Sequence, residues 1–292
     1  MNSVISCNIC SSPDREVYCR KDSIDVFRCR QCGLIYAGET QSSKNIEKHY
    51  SKEYFENYLK TESIHLKNRF GKRLREIKKI KFPGALLDVG CGIGSFLKLA
   101  RTEGYEVSGV ELSYYAAEHA WNNFGLRVFN SELNDAGFTP KTFDIITLWH
   151  VLEHVTDPKK FLIEVNRLLK KNGLLVVEVP NIGSIAARIS LMNWELMAPK
   201  EHLFYFNPHT INRLLKETGF SIIKNQTYFW TTPAMVIKAK ADSIKNNGNA
   251  ILRLIAFFCH VFSPLRFRVL PCFIKGDVIT IYASKVKNLL NN

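Results

Sequence analysis

Four cysteines near the N-terminus form two C-x-x-C pairs, Cys7/Cys10 and Cys29/Cys32, with eighteen residues between the pairs. A C-x-x-C turn brings two thiolates to one side of a tight loop, and two such turns complete a tetrahedron around Zn2+. Gly33, directly after Cys32, suits the sharp backbone of such a turn. The alternative, a pair of disulfides, needs an oxidising compartment. The N-terminus MNSVISCNICSSPDR carries neither the basic nor the apolar region of a secretory signal, so zinc is the expected occupant. Cys19 is a spare, and Cys91, Cys259 and Cys272 are too scattered to join the set. A module of about 40 residues buries too little to stand alone, so the ion is expected to be structural.

A second group is a glycine turn with a distant acid. The run Asp88-Val89-Gly90-Cys91-Gly92-Ile93-Gly94 follows the apolar stretch ALLDVG and precedes SFLKLARTEG, and Glu111 ends the next apolar stretch. Strand, glycine turn and helix in that order allow a backbone to approach a ligand with no Cβ in the way. A carboxylate about 20 residues on, at the end of the next strand, can accept both hydroxyls of a ribose. A dinucleotide fingerprint needs its third glycine at position 95, where this chain has Ser95.

A third group is histidine-rich. His150, Glu153 and His154 fall at i, i+3 and i+4, so they can share one face where a strand runs into a helix start. His202 in EHLFYF is a further imidazole that could join the same cleft. One reading makes His150 or His202 a general base or an orienting group for a nucleophile. Another leaves Glu153 and His154 bracing a helix start with no chemistry.

These groups need elements to hold them. From Pro83 the pattern alternates. Apolar runs at ALLDVG, YEVSGVEL, LRVFN, FDIITLWHV, LLVVEVPN, SIIKNQTYF and GDVITIYAS are read as seven strands. Helical spacing separates them in SFLKLARTEG, YYAAEHAWNNFG, PKKFLIEVNRLLKKNG and TINRLLKETGF, with Gly173 expected to stop the third of these. Alternation of this kind implies an α/β, mostly parallel sheet covered on both faces. The expected organisation is a zinc ribbon (1–43), a helical basic linker (44–81) and an α/β domain (82–292). The linker run KRLREIKKIK is read as a solvated helix face, with a phosphate or lipid headgroup contact as the alternative.

The 292 residues are 46% hydrophobic and 23% charged, which excludes a disordered or collagenous chain. Lys+Arg 40 against Asp+Glu 27 gives +13, favouring an acidic partner without choosing among phosphate, lipid and nucleic acid. The ribbon lacks a dense Arg/Lys-aromatic surface, so nucleic acid is not the expected partner. No stretch reaches about 18 uninterrupted apolar residues, and a cytoplasmic location is expected, with contact at the inner face of the membrane as one reading of the late connection. The contact would come from 250–273 inside the long connection 231–275, where an apolar, aromatic segment carries Arg253, Arg266 and Arg268. Packing as a lid or dimer surface is the other reading. The oligomeric state is not specified.

The sequence D-V-G-C-G-I-G resembles motif I of the class I S-adenosylmethionine-dependent methyltransferases. Thr139–Pro158 resembles their fourth-strand region, Glu201–Phe220 a downstream stretch, and C-x-x-C with CGLIY and HYSKEYF the zinc-ribbon-bearing members, a methyltransferase-23-like group. The resemblance covers about residues 5–60 and 82–230. It implies a Rossmann-like seven-stranded sheet with S-adenosylmethionine on Gly90, Cys91, Gly92 and Gly94, and with Asp88 supporting the turn. Glu111 would take the ribose and Leu112 would pack on the adenine. Glu132 and Leu133 would lie near its edge, and Trp149 and His150 beside the methyl donor. The implied acceptor is a small or lipid-linked molecule such as a sugar or cell-surface glycan intermediate. The alternatives are a quinone- or lipid-precursor O-methyltransferase, an RNA methyltransferase, and a non-catalytic ribbon module on a degenerate fold. HVLEH is also similar to the E-V-L-E-H of ubiquinone-pathway O-methyltransferases. A downstream histidine is similar to one in small-RNA methyltransferases. Both groups link these positions to a divalent metal, but this chain has His150 where they have Glu.

Overall fold

The computed structural model describes residues 6–38, 52–61, 65–228 and 276–286. The apolar connection 231–275 and the start of the linker, 44–51, lie outside the described residues. The chain divides into two compact units, one of Met1–Thr40, Val179–Arg213 and Asn225–Thr280, the other of Gln41–Glu178, Leu214–Lys224 and Ile281–Asn292.

The first unit carries the cysteine pairs. Strands β1 (Arg15–Lys21), β2 (Ile24–Cys29) and β3 (Ile35–Ala37) form an antiparallel meander, with Asp22 and Ser23 at positive φ in its first turn. A fourth strand, Phe204–Tyr205 from the EHLFYF segment, pairs antiparallel with β3 (Ile35↔Tyr205, Tyr36↔Phe204). The ribbon sheet therefore includes residues far along the chain, a pairing that local pattern does not show. Val26 and Ile35 share a buried cluster with Ile182, Ala186, Ala187, Trp194, Met197 and Tyr205.

In the second unit the linker is helical: α1 spans Lys52–Thr61 and α2 spans His65–Ile80. Seven strands build the large sheet: β4 (Ala85–Val89), β5 (Glu106–Val110), β6 (Val128–Phe129), β7 (Phe143–Trp149), β8 (Leu169–Pro180), β10 (Phe220–Tyr228) and β11 (Val278–Lys285), with Phe204–Tyr205 as β9. Its order is β10-β11-β8-β7-β4-β5-β6, with β4 parallel to β5 and β7, β5 to β6, and β7 to β8. The seven-stranded, Rossmann-like α/β reading holds. Strand order reverses between β4 and β7, and in such sheets ligands bind outside the carboxyl ends at that point. Helices α3 (Ser95–Thr102), α4 (Tyr114–Phe124) and α5 (Pro158–Leu168) belong to this unit, α6 (Ile185–Ser190) belongs to the first, and α7 (Pro208–Glu217) runs across the division at Leu214.

Three expectations change. The third strand shrinks from LRVFN to Val128–Phe129. Gly173 does not stop α5, which ends at Leu168 with Leu169 already extended. The buried Lys285 amine donates to the carbonyls of Asn166 (2.6 Å) and Leu169 (2.8 Å), satisfying carbonyls that a helix end leaves without intrahelical partners. Asn172 takes the left-handed conformation (φ 57°), and Gly173 lies in the bulge between Phe143↔Leu169 and Ile145↔Leu174. The basic linker helix is not wholly a solvated face. Phe70, Leu74 and Ile77 are buried with Phe96, Trp149 and Val176, and Arg73 is 4% exposed. On its outer side Lys78 pairs with Glu103, and Lys79 and Lys224 both pair with Glu76.

Candidate active site and cysteine cluster

The four cysteines meet. Sγ of Cys7 lies 3.4 Å from that of Cys32, and Cys10 Sγ 3.5 Å from Cys29. All four sulfurs fall within 4.8 Å of one another. The two turns are built alike. Ser11 N–H donates to Cys7 O (2.8 Å) and Gly33 N–H to Cys29 O (2.9 Å), and both Ser11 (φ 59°) and Gly33 (φ 76°) are left-handed. Burial pushes the Cys7 thiol up to about 11 and Cys32 further. Burial also opposes ionisation of Cys29, but the backbone N–H of Cys32, with Cys10 and Gln31, outweighs it and leaves that thiol low. Four sulfurs this close, three of them on buried residues and two costly to ionise without a cation, fit a four-thiolate zinc set. Cys19 stands outside the cluster.

The glycine turn joins β4 to α3 at the reversal point. Gly90 N–H and Cys91 N–H both donate to Val110 O (2.8 and 3.1 Å), so the turn folds over the end of β5. Gly90, Gly92 and Gly94 have φ of 68°, 53° and 81°. They answer to different demands. A Cβ on Gly90 would come within 2.6 Å of Val151 Cγ2, and one on Gly94 within 2.6 Å of Leu126 Cδ1 and 3.0 Å of Ala120. Gly94 is thus required by the packing of α3 on α4, whereas a Cβ on Gly92 would meet only Phe55, at 3.5 Å. Gly92 is the most open of the three and the best placed for a ligand's approach.

Glu111 is 7% exposed. Its Oε2 accepts from Gly92 N–H (2.8 Å) and its Oε1 from Ser113 N–H (2.9 Å), so the acid clasps the glycine turn directly. Burial raises its pKa. Asn130, which the sequence reading missed, donates to the carbonyls of Glu111 (2.9 Å) and Leu112 (2.7 Å) and fixes this strand end. Glu132 precedes a short 3-10 turn, and Leu133, which opens it, is buried.

Asp88 faces Thr147 across β4 and β7, and Thr147 Oγ1 donates to Asp88 Oδ1 at 2.6 Å. Burial, then the Glu111 charge, raises Asp88 to about 8 from an ordinary value of 3.8. A carboxyl raised in the fold contributes stability below about pH 4 that is lost as pH rises through about 8. Asp88→Asn, neutral throughout, is expected to lose less Tm between pH 5 and pH 9 than the wild type. Equal losses in thermal scans of the two proteins would refute this.

At the end of β7, Trp149 is 8% exposed and packs edge-on against Phe96 (5.1 Å between centroids). The next residue, His150, has φ 57°, an uncommon backbone for a side chain with Cβ. Its N–H donates to Glu178 O at 2.9 Å. Its Nδ1 lies 3.1 Å from Glu153 Oε1 and its Nε2 3.2 Å from Glu178 Oε1. Burial, then the charges of Arg69 and Arg73, hold the imidazole well below the usual histidine range, so it is neutral at pH 7. Glu153 is fully buried, and His154 Nε2 is 4.0 Å from its Oε1. The structure brings His150, Glu153 and His154 together, but on a turn at Leu152–His154 and not at a helix start, since α5 begins only at Pro158. His202 belongs to the first unit, where its Nδ1 is 2.8 Å from Leu196 O and its ring meets Tyr205 edge-on. Arg73 and Glu178 were missed because nothing local marks them.

Among the described residues no helix is long and apolar enough to cross a membrane. Residues 55–225 match the family model described as a methyltransferase domain. The mitochondrial ubiquinone biosynthesis O-methyltransferase of Schizosaccharomyces pombe is 30% identical over 154 residues, 49% of this chain and 54% of that protein. The chain spans about half the length of the first curated relatives it matches. A crystal structure of a SAM-dependent methyltransferase from Archaeoglobus fulgidus superposes with a TM-score of 0.54 at 21% identity, over 80% of this chain and all of that one. One from Thermotoga maritima, described as a possible histamine N-methyltransferase, does so at 0.55 and 18%, over 84% of this chain and all of that one. A seven-stranded sheet reversing at β4/β7, a glycine turn held by a strand-end acid, and a family match over more than half of its length place the chain in the methyltransferase-domain family.

Proposed function

We propose that the chain transfers a methyl group from S-adenosylmethionine to a hydroxyl oxygen of a small or lipid-linked acceptor, with Zn2+ held by Cys7, Cys10, Cys29 and Cys32 as a structural ion. The observation that carries the oxygen acceptor is the neutral imidazole of His150 with Nδ1 on the buried carboxyl of Glu153. A hydroxyl must lose its proton as the new bond forms, and a neutral imidazole beside a carboxyl can take one. The name of the fission-yeast relative supports the same class of acceptor.

The sulfonium supplies an already activated methyl carbon, so the protein's task is alignment and exclusion of water. Gly92 offers an open backbone to the methionine part, with Gly90 and Cys91 beside it, while Asp88 holds the turn through Thr147. Glu111, while keeping the Gly92 and Ser113 N–H groups, would accept the ribose hydroxyls on its remaining lone pairs. Leu112 and Leu133 would line the adenine side, with Glu132 at its edge, and Trp149 would form the wall beside the methyl. With Nδ1–H donated to Glu153, Nε2 is the nitrogen that would accept the hydroxyl proton, and the Glu153 carboxyl would steady the imidazolium.

The test is transfer of labelled methyl from S-adenosylmethionine to three probes: 3,4-dihydroxybenzoate, uridine diphosphate glucose and bulk RNA. Label on the catechol or the sugar is expected, with His150→Gln at least tenfold slower at unchanged cofactor affinity. Label confined to RNA, or none on either hydroxyl probe, would count against the proposal.

A further inference from the structure

The run Lys72–Lys81 holds six basic residues, and Arg73 departs from the others by pointing into the protein. Arg73 Nε donates to Glu178 Oε2 at 2.8 Å, and Nη2 pairs with Oε1, so the guanidinium takes both oxygens. Its Cζ lies 4.6 Å over the Trp149 ring and 5.4 Å over Phe70. The side chains of Arg73 and Glu178 are 5% and 1% exposed. A buried ion pair is a weak source of stability, because the desolvation of two charges offsets most of their attraction. It is, however, a strong source of orientation: a forked pair fixes the plane of the carboxylate as well as its place.

What that carboxylate touches decides its use. Glu178 sits opposite Trp149 in the parallel register of β7 and β8. Its carbonyl receives the His150 N–H, and its Oε1 lies 3.2 Å from His150 Nε2. Glu178 therefore holds the His150 backbone by a hydrogen bond and stands its carboxylate beside the ring at Nε2, while Glu153 engages Nδ1. We propose that Arg73 is a positioning residue: through Glu178 it fixes the imidazole of His150 at the end of β7. The inference deepens the reading of His150 as the acceptor-side histidine and rests on it for its catalytic consequence. Lysine at this position would keep the charge and lose the fork, since an ammonium is a point charge that sets no plane.

The experiment uses the full chain labelled with 15N-histidine, zinc-replete, with S-adenosylhomocysteine as the bound probe. The ring nitrogens of His150 are assigned by their loss in His150→Gln. Arg73→Lys and the charge-neutral double variant Arg73→Met/Glu178→Gln are compared with wild type. The double variant avoids stranding a buried carboxylate. Wild type is expected to show one set of ring signals with two distinct nitrogens, and both variants to show shifted or averaged ones. On whichever hydroxyl probe accepts label, kcat should fall about 100-fold in the double variant and less in Arg73→Lys, with KM for S-adenosylmethionine within twofold. Unchanged ring signals in both variants overturn the proposal, as does a loss of kcat matched by an equal rise in that KM. Shifted ring signals with full turnover in His150→Gln would uphold the positioning and remove His150 from the chemistry.

Discussion

Glu111→Ala is expected to weaken S-adenosylmethionine binding about 100-fold, which is ~3 kcal/mol. Two effects add. The carboxylate would accept two ribose hydroxyls, and hydrogen bonds to a charged group contribute about 1.5–3 kcal/mol each. It also ties Gly92 N–H at 2.8 Å and Ser113 N–H at 2.9 Å, so its loss frees the glycine turn that must already be shaped when the ligand arrives. Glu111→Gln keeps one accepting oxygen and should fall between the two proteins. Calorimetric titration of the zinc-replete chain reads both affinities. A dissociation constant in Glu111→Ala within threefold of the wild type would remove Glu111 from the cofactor site, and the ribose would then need another acid.

Strand, turn, helix and strand-end acid were legible because each is a local pattern, and the distance between Gly92 and Glu111 is set by one βα unit. Both C-x-x-C turns were legible for the same reason, since positive φ at Ser11 and Gly33 is a property of the turn itself. What escaped was carried by partners far apart in the chain. Arg73 reads as one more basic residue on a polar helix until Glu178, 105 residues later, is beside it. Gly173 reads as a helix stop until Lys285 is seen capping α5 from β11. The glycines show the opposite lesson: the motif treats Gly90, Gly92 and Gly94 alike, yet Leu126 and Ala120 claim Gly94 for packing. The φ of His150 was also hidden, because a left-handed histidine has no signature in spacing.

Removing the metal is expected to release a segment that is remote in sequence from the cysteines. β3 follows Cys32 directly and gives its outer edge to Phe204–Tyr205, while Ala37 N–H donates to Leu203 O at 2.9 Å. Behind that edge Ile35 and Val26 pack with Trp194, Met197 and Tyr205 in one buried cluster. On the proposed four-thiolate zinc site a ribbon of this size would owe its fold to the ion, so chelation, or Cys29→Ser, is expected to take away the strand on which β9 is built. A two-residue strand has little to hold it without a partner. Amide exchange in a peptide covering 196–206 should therefore accelerate at least tenfold, toward the rate of an open segment. Trp194, 2% exposed in the folded unit, should shift its emission to the red as its indole meets water, and Trp194→Phe should abolish that change. Restoring zinc should reverse both signals. If exchange over 196–206 stays slow in fully demetallated protein, the ribbon sheet is held by its apolar cluster instead, and the cysteines do not control the segment that carries His202.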